Sequence, residues 1–214
     1  MKDPIKITVE SYEVKADEYI RSTSNFSKFP ELYSLLEKFL GFLNGPYVLD
    51  IAFGSGRDSD FLSENGKFVI GIELAQPFIE RQHHKMRNPV ALMDMRWLGF
   101  AKNSFDGTWC CSSFLHIQRL EALKTLCGFA KILKPGGIMY IDLKEGDGEE
   151  WRYSGNISGV PRFYTFYYYE DIAKLFKKAG FKILFTSNHN QSVNQMYSNK
   201  TKWINVIVSK ELEI

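Results

Sequence analysis

Short apolar runs and stretches of helical periodicity take turns along most of the chain. Val48, Leu49 and Ile51, then Phe68 to Ile72, Val90 to Met93, Gly107 to Cys111 and Ile138 to Leu143 read as strands of the kind buried on both faces. Between them lie helical patterns. Pro30 opens a helix with Leu32, Leu35, Leu36, Phe39 and Leu40 on one face, and Asn44-Gly45-Pro46 closes it. A short helix around Phe61 and Leu62 stops at Asn65-Gly66, and another begins near Pro77 and runs to about Arg87. Leu120, Leu123, Leu126, Cys127 and Ala130 share a face in a helix ended by Lys134-Pro135-Gly136-Gly137, and Ile172, Leu175, Phe176 and Ala179 mark a last helix stopped by Gly180. Near the start, Tyr12, Ala16 and Tyr19 predict an amphipathic helix from Thr8 to Ile20, with Thr8 as its N-cap. This alternation calls for a mainly parallel sheet with helices on both faces. The ending departs from it: Phe181 to Thr186 and Trp203 to Ser209 have no helix between them, so they are expected to pair antiparallel across a wide polar loop.

The richest chemistry sits in Val48-Leu49-Asp50-Ile51-Ala52-Phe53-Gly54-Ser55-Gly56-Arg57-Asp58, where an apolar strand ends in an acid and two glycines lead into a helix. Gly54 and Gly56 open backbone angles closed to other residues, and the N–H groups of the next helix favour electron-rich groups. Taken alone, the stretch is equally a strand-to-helix turn without a ligand. Two further strands also end in acids, Glu73 and Asp94, and strand ends of an open parallel sheet line the crevice where ligands bind. Glu73 follows Asp50 by 23 residues, about where an acid reaches a ribose diol. Asp94 is placed to accept from an exocyclic amine, with the Met95 N–H beside it. Asp50 either holds the loop or accepts from a ligand ammonium. A dinucleotide such as NAD fits less well, because Ser59 stands where G-x-G-x-x-G asks for its third Gly and no second mononucleotide half follows.

The ordered set formed by the first loop, Gly71-Ile72-Glu73, Asp94-Met95, Ser104-Phe105-Asp106-Gly107, Leu115-His116 and Leu133-Lys134-Pro135-Gly136-Gly137 resembles the class I S-adenosylmethionine-dependent methyltransferases. The resemblance covers about residues 45 to 145. It implies a doubly wound α/β fold: a mainly parallel seven-stranded sheet with an antiparallel last strand. It also implies S-adenosylmethionine as methyl donor, with Gly54, Ser55 and Gly56 beside its methionine part, Glu73 on its ribose, Asp94 and Met95 on adenine, Leu74 packed nearby and Phe114 close to it. Two residues depart from the family pattern: Ala52 replaces the usual first glycine, and Phe53 stands where smaller residues are frequent. One domain over 1–214 is expected, comprising N-terminal helices (1–44), a donor-binding core (45–143), a lid or substrate insert (144–169), and a C-terminal helix with the antiparallel pair (170–214).

The insert is rich in glycine and aromatic residues, the composition of a lid or pocket wall. Lys144 to Glu149 and Arg162-Phe163-Tyr164 resemble a subset of small-molecule methyltransferases, so Trp151, Arg152, Arg162 and Tyr164 are candidates for acceptor binding, the two arginines as a clamp for an acidic group. His116 is the candidate general base; a locally hydrogen-bonded histidine is the equal alternative. His83 and His84 lie among basic residues on a helix, His189 has no partner cluster, and no metal site is indicated.

Composition narrows the partners. The 27 basic and 25 acidic side chains leave a net charge of +2, too weak a field to favour nucleic acid. No run reaches the ~20 apolar residues of a membrane span, and no signal-type segment follows Met1. Three cysteines without a CxxC pair fit reduced thiols in a cytoplasmic protein. The reading is methyl transfer to a small-molecule acceptor, achieved mainly by positioning. A non-catalytic donor-binding regulator and an NAD-linked oxidoreductase are the alternatives.

Overall fold

The computed structural model describes residues 3–82, 87–153, 157–190 and 202–212. His83 and His84, the side chain of His189 and the loop before Trp203 lie outside the described residues.

The central strands β1 (Tyr47–Ile51), β2 (Phe68–Glu73), β3 (Val90–Leu92), β4 (Phe105–Cys110) and β5 (Leu133–Glu145) lie parallel in the order β3-β2-β1-β4-β5. Beyond β5 come β9 (Lys202–Lys210) and then β8 (Phe181–Asn190), with β9 antiparallel to both. These seven strands are the expected sheet with its antiparallel last strand. Their alternating side chains explain the two helical layers. Leu49, Ile51, Met139 and Ile141 face α6 (Arg119–Ile132) and α7 (Tyr169–Lys178), while Val48, Trp109, Ile138 and Tyr140 face α3 (Pro30–Phe42) and α4 (Arg57–Glu64). The fifth of these helices, α5 (Gln76–Gln82), follows β2.

Two segments differ from the sequence reading. The helix expected from Thr8 to Ile20 is two helices, α1 (Pro4–Val14) and α2 (Ala16–Thr23), broken at Lys15. Asp3 caps α1, accepting from the Ile5 N–H at 3.0 Å, and Pro4 stands at its first turn, where a missing N–H costs nothing. Thr8 is therefore no cap: it lies buried inside α1, and its hydroxyl oxygen accepts the Phe163 N–H at 3.0 Å.

The insert is the second difference. It contains an antiparallel hairpin, β6 (Glu149–Arg152) and β7 (Arg162–Tyr167), which extends the sheet to nine strands, and every residue of β7 is buried. Lys144 pairs with Trp203 of β9 and also with Phe166 of β7. A strand has two edges, so β7 lies on the edge of β5 that β4 uses as far as Ile141. The hairpin thus continues the sheet past the end of β4, beside the 3₁₀ turn Phe114–His116.

Candidate active site

A cleft of about 710 Å³, counting the space at its mouth, opens at the carboxyl ends of β1, β2 and β4. Its walls combine the strand ends with α1 and α2, which lie across it. Gly54, Glu73, Leu74, Asp94 and Met95 all line it. Ile72, Leu74, Phe78 and Met93 give the lining apolar surface, and Tyr12, Ser112 and His116 give it polar groups.

Glu73 organises the donor side. Its Oε1 accepts the N–H groups of Leu74 and Ala75, each at 2.8 Å, and its Oε2 accepts that of Gly54 at 3.0 Å. A carboxylate oxygen has two lone-pair sites, so Oε2 retains one for a hydroxyl in the cleft. Burial pushes the Glu73 carboxyl up, opposed by those three N–H groups. Asp94 is held by Arg96 through Nε and Nη2, the closest contact being 2.7 Å, and it also accepts the Arg96 N–H. Arg96 reaches on to Glu121 and to Asp3, the cap of α1, so one guanidinium ties the acid of the cleft to the helix that covers it.

Several candidates lie off the wall. Asp50 is buried beneath the first loop, where Ser59 donates to it at 2.6 Å; burial and the neighbouring Asp58 push its carboxyl up to about 8. Its place is to hold the loop, and Ser59, at the missing third-glycine position, is its partner. Gly56 opens α4 with φ 77, and Ser55 and Gly56 are not part of the cleft wall. Phe114 is fully buried against Phe129 and is not part of the cleft wall.

Of the two departures in the loop, the structure gives a reason for Phe53 and none for Ala52. Ala52 lines the cleft in the left-handed region, φ 64, a conformation that disfavours any Cβ. Phe53 faces away from the cleft and fills the space over two glycines: a Cβ on Gly56 would lie 2.5 Å from its ring, and one on Gly71 2.8 Å.

On the acceptor side, the His116 ring is fixed at both nitrogens. Nδ1 faces the Phe163 carbonyl, which can only accept, so Nδ1 carries the proton. Nε2 then accepts from the Tyr12 hydroxyl at 3.0 Å. Burial, with Arg162 and Lys144 nearby, pulls the imidazole down to about 3, so it stays neutral and resists taking a second proton. The ring is held between Phe163 and Tyr12, the geometry of the locally hydrogen-bonded alternative for His116.

Arg162 does not project into the cleft as a clamp. It is 1% exposed, donates to the Ile157 carbonyl at 3.0 Å, and lies behind Tyr12 and Tyr164. Tyr164 is buried with its ring 4.9 Å from that of His116. Arg152 pairs with Glu150 and lies over Phe166, and Trp151 is partly exposed, its ring edge-on to Phe163.

Sequence reasoning missed several residues of the site. Tyr12 and Tyr19, read as a packing face, line the cleft. Asp142 falls near the end of the strand read from sequence, as Asp50, Glu73 and Asp94 do for theirs, although β5 itself runs on to Glu145. Asp142 accepts from the Ser112 N–H and, at 2.9 Å, from the Ser112 hydroxyl, and burial pushes it up to about 6. The strand-end rule applied to the first three acids would have found it. Ser112 itself, in the left-handed region at φ 52, carries no signal in the sequence.

Comparison with known proteins agrees with this geometry. Residues 49–141 match the methyltransferase domain family. A methyltransferase of Geobacillus sp. (strain WCH70) is 25% identical over 194 residues, covering 83% of this chain and 91% of the relative. The erythromycin 3''-O-methyltransferase of Saccharopolyspora erythraea is 30% identical over 179 residues, covering 71% and 55%. Among solved structures, the 1,6-didemethyltoxoflavin-N1-methyltransferase of Burkholderia thailandensis, with 1,6-didemethyltoxoflavin and S-adenosylhomocysteine bound, superposes with a TM-score of 0.75 at 17% identity, covering 99% of this chain and 92% of that one. With β9 turned antiparallel beside β5, Glu73 closing β2 over the cleft, and the match running from β1 to β5, residues 49–141 form a methyltransferase domain in a chain whose fold is that of the S-adenosylmethionine-dependent methyltransferases.

Proposed function

We propose that the chain methylates a small-molecule acceptor that enters at the Tyr12 and His116 end of the cleft. The observation that carries this reading is the double cover over that end. α1 crosses it, and the β6–β7 hairpin backs it through Ser11 donating to the Pro161 carbonyl at 2.6 Å and Phe163 donating to Thr8. A narrow, covered site suits a small molecule better than a folded partner or a duplex.

When bound, S-adenosylmethionine supplies an activated sulfonium methyl, so the protein's task is alignment, worth roughly 7 to 11 kcal/mol when orientation is good. Glu73 Oε2 accepts a ribose hydroxyl, Asp94 accepts an exocyclic amine, and the apolar wall holds the base. Tyr12, its hydroxyl oriented by neutral His116, faces the acceptor with Ser112. Because His116 resists protonation, acceptors with a lone pair already available near neutral pH are favoured, such as a ring nitrogen. The N1-methylation in the name of the Burkholderia protein supports that choice.

Calorimetry of the full chain tests the donor side. S-adenosylhomocysteine is expected to bind and NAD not to. The 2′-deoxy form of S-adenosylhomocysteine should bind about tenfold more weakly, a preference that Glu73→Gln abolishes. Equal affinity of the wild type for the two forms would remove Glu73 from the ribose.

A further inference from the structure

Three cations converge on the ring of Tyr164. The Lys144 Nζ lies 4.0 Å from its centroid, and the guanidinium carbons of Arg162 and Arg152 lie 5.4 and 5.9 Å away. Lys144 is also 5.5 Å from the Trp203 ring, and Arg152 is 4.6 Å from that of Phe166. The strands dictate this meeting, because Lys144 pairs with Phe166 on one edge of β5 and with Trp203 on the other.

The acids nearby are committed elsewhere. Glu150 is paired with Arg152, Glu145 lies 3.6 Å from Lys202, and Asp142 accepts from Ser112. Among the described residues no carboxylate forms an ion pair with the half-buried Lys144 ammonium. Ring faces attract an ammonium but do not replace the oxygen acceptors that its three N–H groups lose on leaving water. An entering anion would supply them, and the Arg152 fork stands beside it.

We propose that Lys144 and Arg152, set against the rings of Tyr164 and Phe166, bind an anionic group of the acceptor, with Arg162 adding positive field from behind. This deepens the acceptor reading above and rests on it. The same Tyr164 ring lies 4.9 Å from that of His116, a residue of the cleft wall, so the cation cluster adjoins the methyl site.

The pH response follows from the groups that face Lys144: Asp142 on β5, Glu150 and Arg152 on β6, Arg162 and Tyr164 on β7, and His116 after β4. Burial, then Arg152 and Arg162, pull the Lys144 ammonium down to about 7, against Glu150 and Asp142. A bound anion favours the charged form, so its affinity falls as pH rises through that value, and binding near neutral pH takes up protons.

The test is calorimetry on the full chain, first with S-adenosylhomocysteine alone and then, on the saturated protein, with benzoate, phenyl phosphate and benzamide. At about pH 6, at least one anion should bind roughly tenfold more tightly than neutral benzamide, and Lys144→Met and Arg152→Met should each lose about that factor. The tighter anion tells a carboxylate site from a phosphate site. S-adenosylhomocysteine affinity should stay within about twofold in both variants, which also shows that they are folded. Raising the pH to about 8.5 should weaken the anion in the wild type and leave Lys144→Met unaffected. Anions binding no better than benzamide, or binding unchanged in both variants, overturn the anion site while the donor reading stands. Failure of the first titration on the wild type overturns the donor reading and this one with it.

Discussion

Among single residues, Ala52 carries the clearest conflict between side chain and backbone. At φ 64 a Cβ costs roughly 1–2 kcal/mol, partly offset because glycine gains more freedom in the unfolded chain. Ala52→Gly is therefore expected to raise stability by about 1 kcal/mol, seen as a higher urea midpoint at unchanged slope. A lower midpoint would mean that the alanine methyl packs favourably enough to outweigh its backbone. His116 sets a pH dependence. Its folded pKa, about 3, lies below the ordinary value of 6.5, so the unfolded chain binds the extra proton first. The contribution is intact above the unfolded value and is lost as pH falls from there, at about 1.4 kcal/mol per pH unit. Urea titrations at pH 7 and about pH 5 should show the wild type losing stability relative to His116→Gln, since the buried carboxyls pushed up in the folded chain act on both alike. The strand-end acids show how far one residue type can be read from sequence. Glu73 and Asp94 were legible because position at a strand end suffices to bring them to the crevice. Asp50 shares that position, but its burial beneath the loop depends on Ser59 and Asp58, a three-dimensional arrangement that spacing alone does not contain.

The elements obey their periodicities where neighbours in sequence decide them, and depart where distant segments do. Strands β1 to β5 and helix α3 were legible because their burial follows from runs and periods within the segment. The break at Lys15 and the cap at Asp3 had local signals, Asp3-Pro4 above all, yet the Tyr12, Ala16, Tyr19 spacing reads as one continuous face. The hairpin was hidden for another reason: its glycines resemble a flexible loop, and the burial of β7 comes from α1 and the turn at His116. The first loop also depends on a partner element. The Phe53 ring occupies the space over Gly71 of β2, so Gly71→Ala alone should cost about 1–3 kcal/mol through overpacking. Phe53→Ala creates a cavity, and the double variant should be more stable than the sum of the two single losses, as read from a double-mutant cycle in urea. Strict additivity would show that the two residues do not share that space.

For the whole molecule, the sheet and its cover are held by different kinds of contact. The sheet is a wide apolar core on two faces, which α1 joins at its edge through Ile5 and Val9, and α1 is fastened further by a few polar links: Arg96 to Asp3, Ser11 to Pro161, Phe163 to Thr8 and Tyr12 to His116. Segments held in this way open at lower free energy than the core. Hydrogen exchange is expected to be fast in α1, to slow there by about tenfold or more when S-adenosylhomocysteine is added, and to change little in β8 and β9. Equal slowing across the chain would instead mean that the ligand stabilises the molecule only as one unit.

Those links join residues far apart in the chain: Ser11 to Pro161 spans 150 positions, and Thr8 to Phe163 spans 155. During synthesis, α1 can meet Arg96 and His116 once β1 to β5 are made, but its contacts with Pro161 and Phe163 wait for β7. The nascent protein therefore passes through a stage in which the cover over the donor shelf is fastened on one side only, and the arrival of β7 completes the chamber.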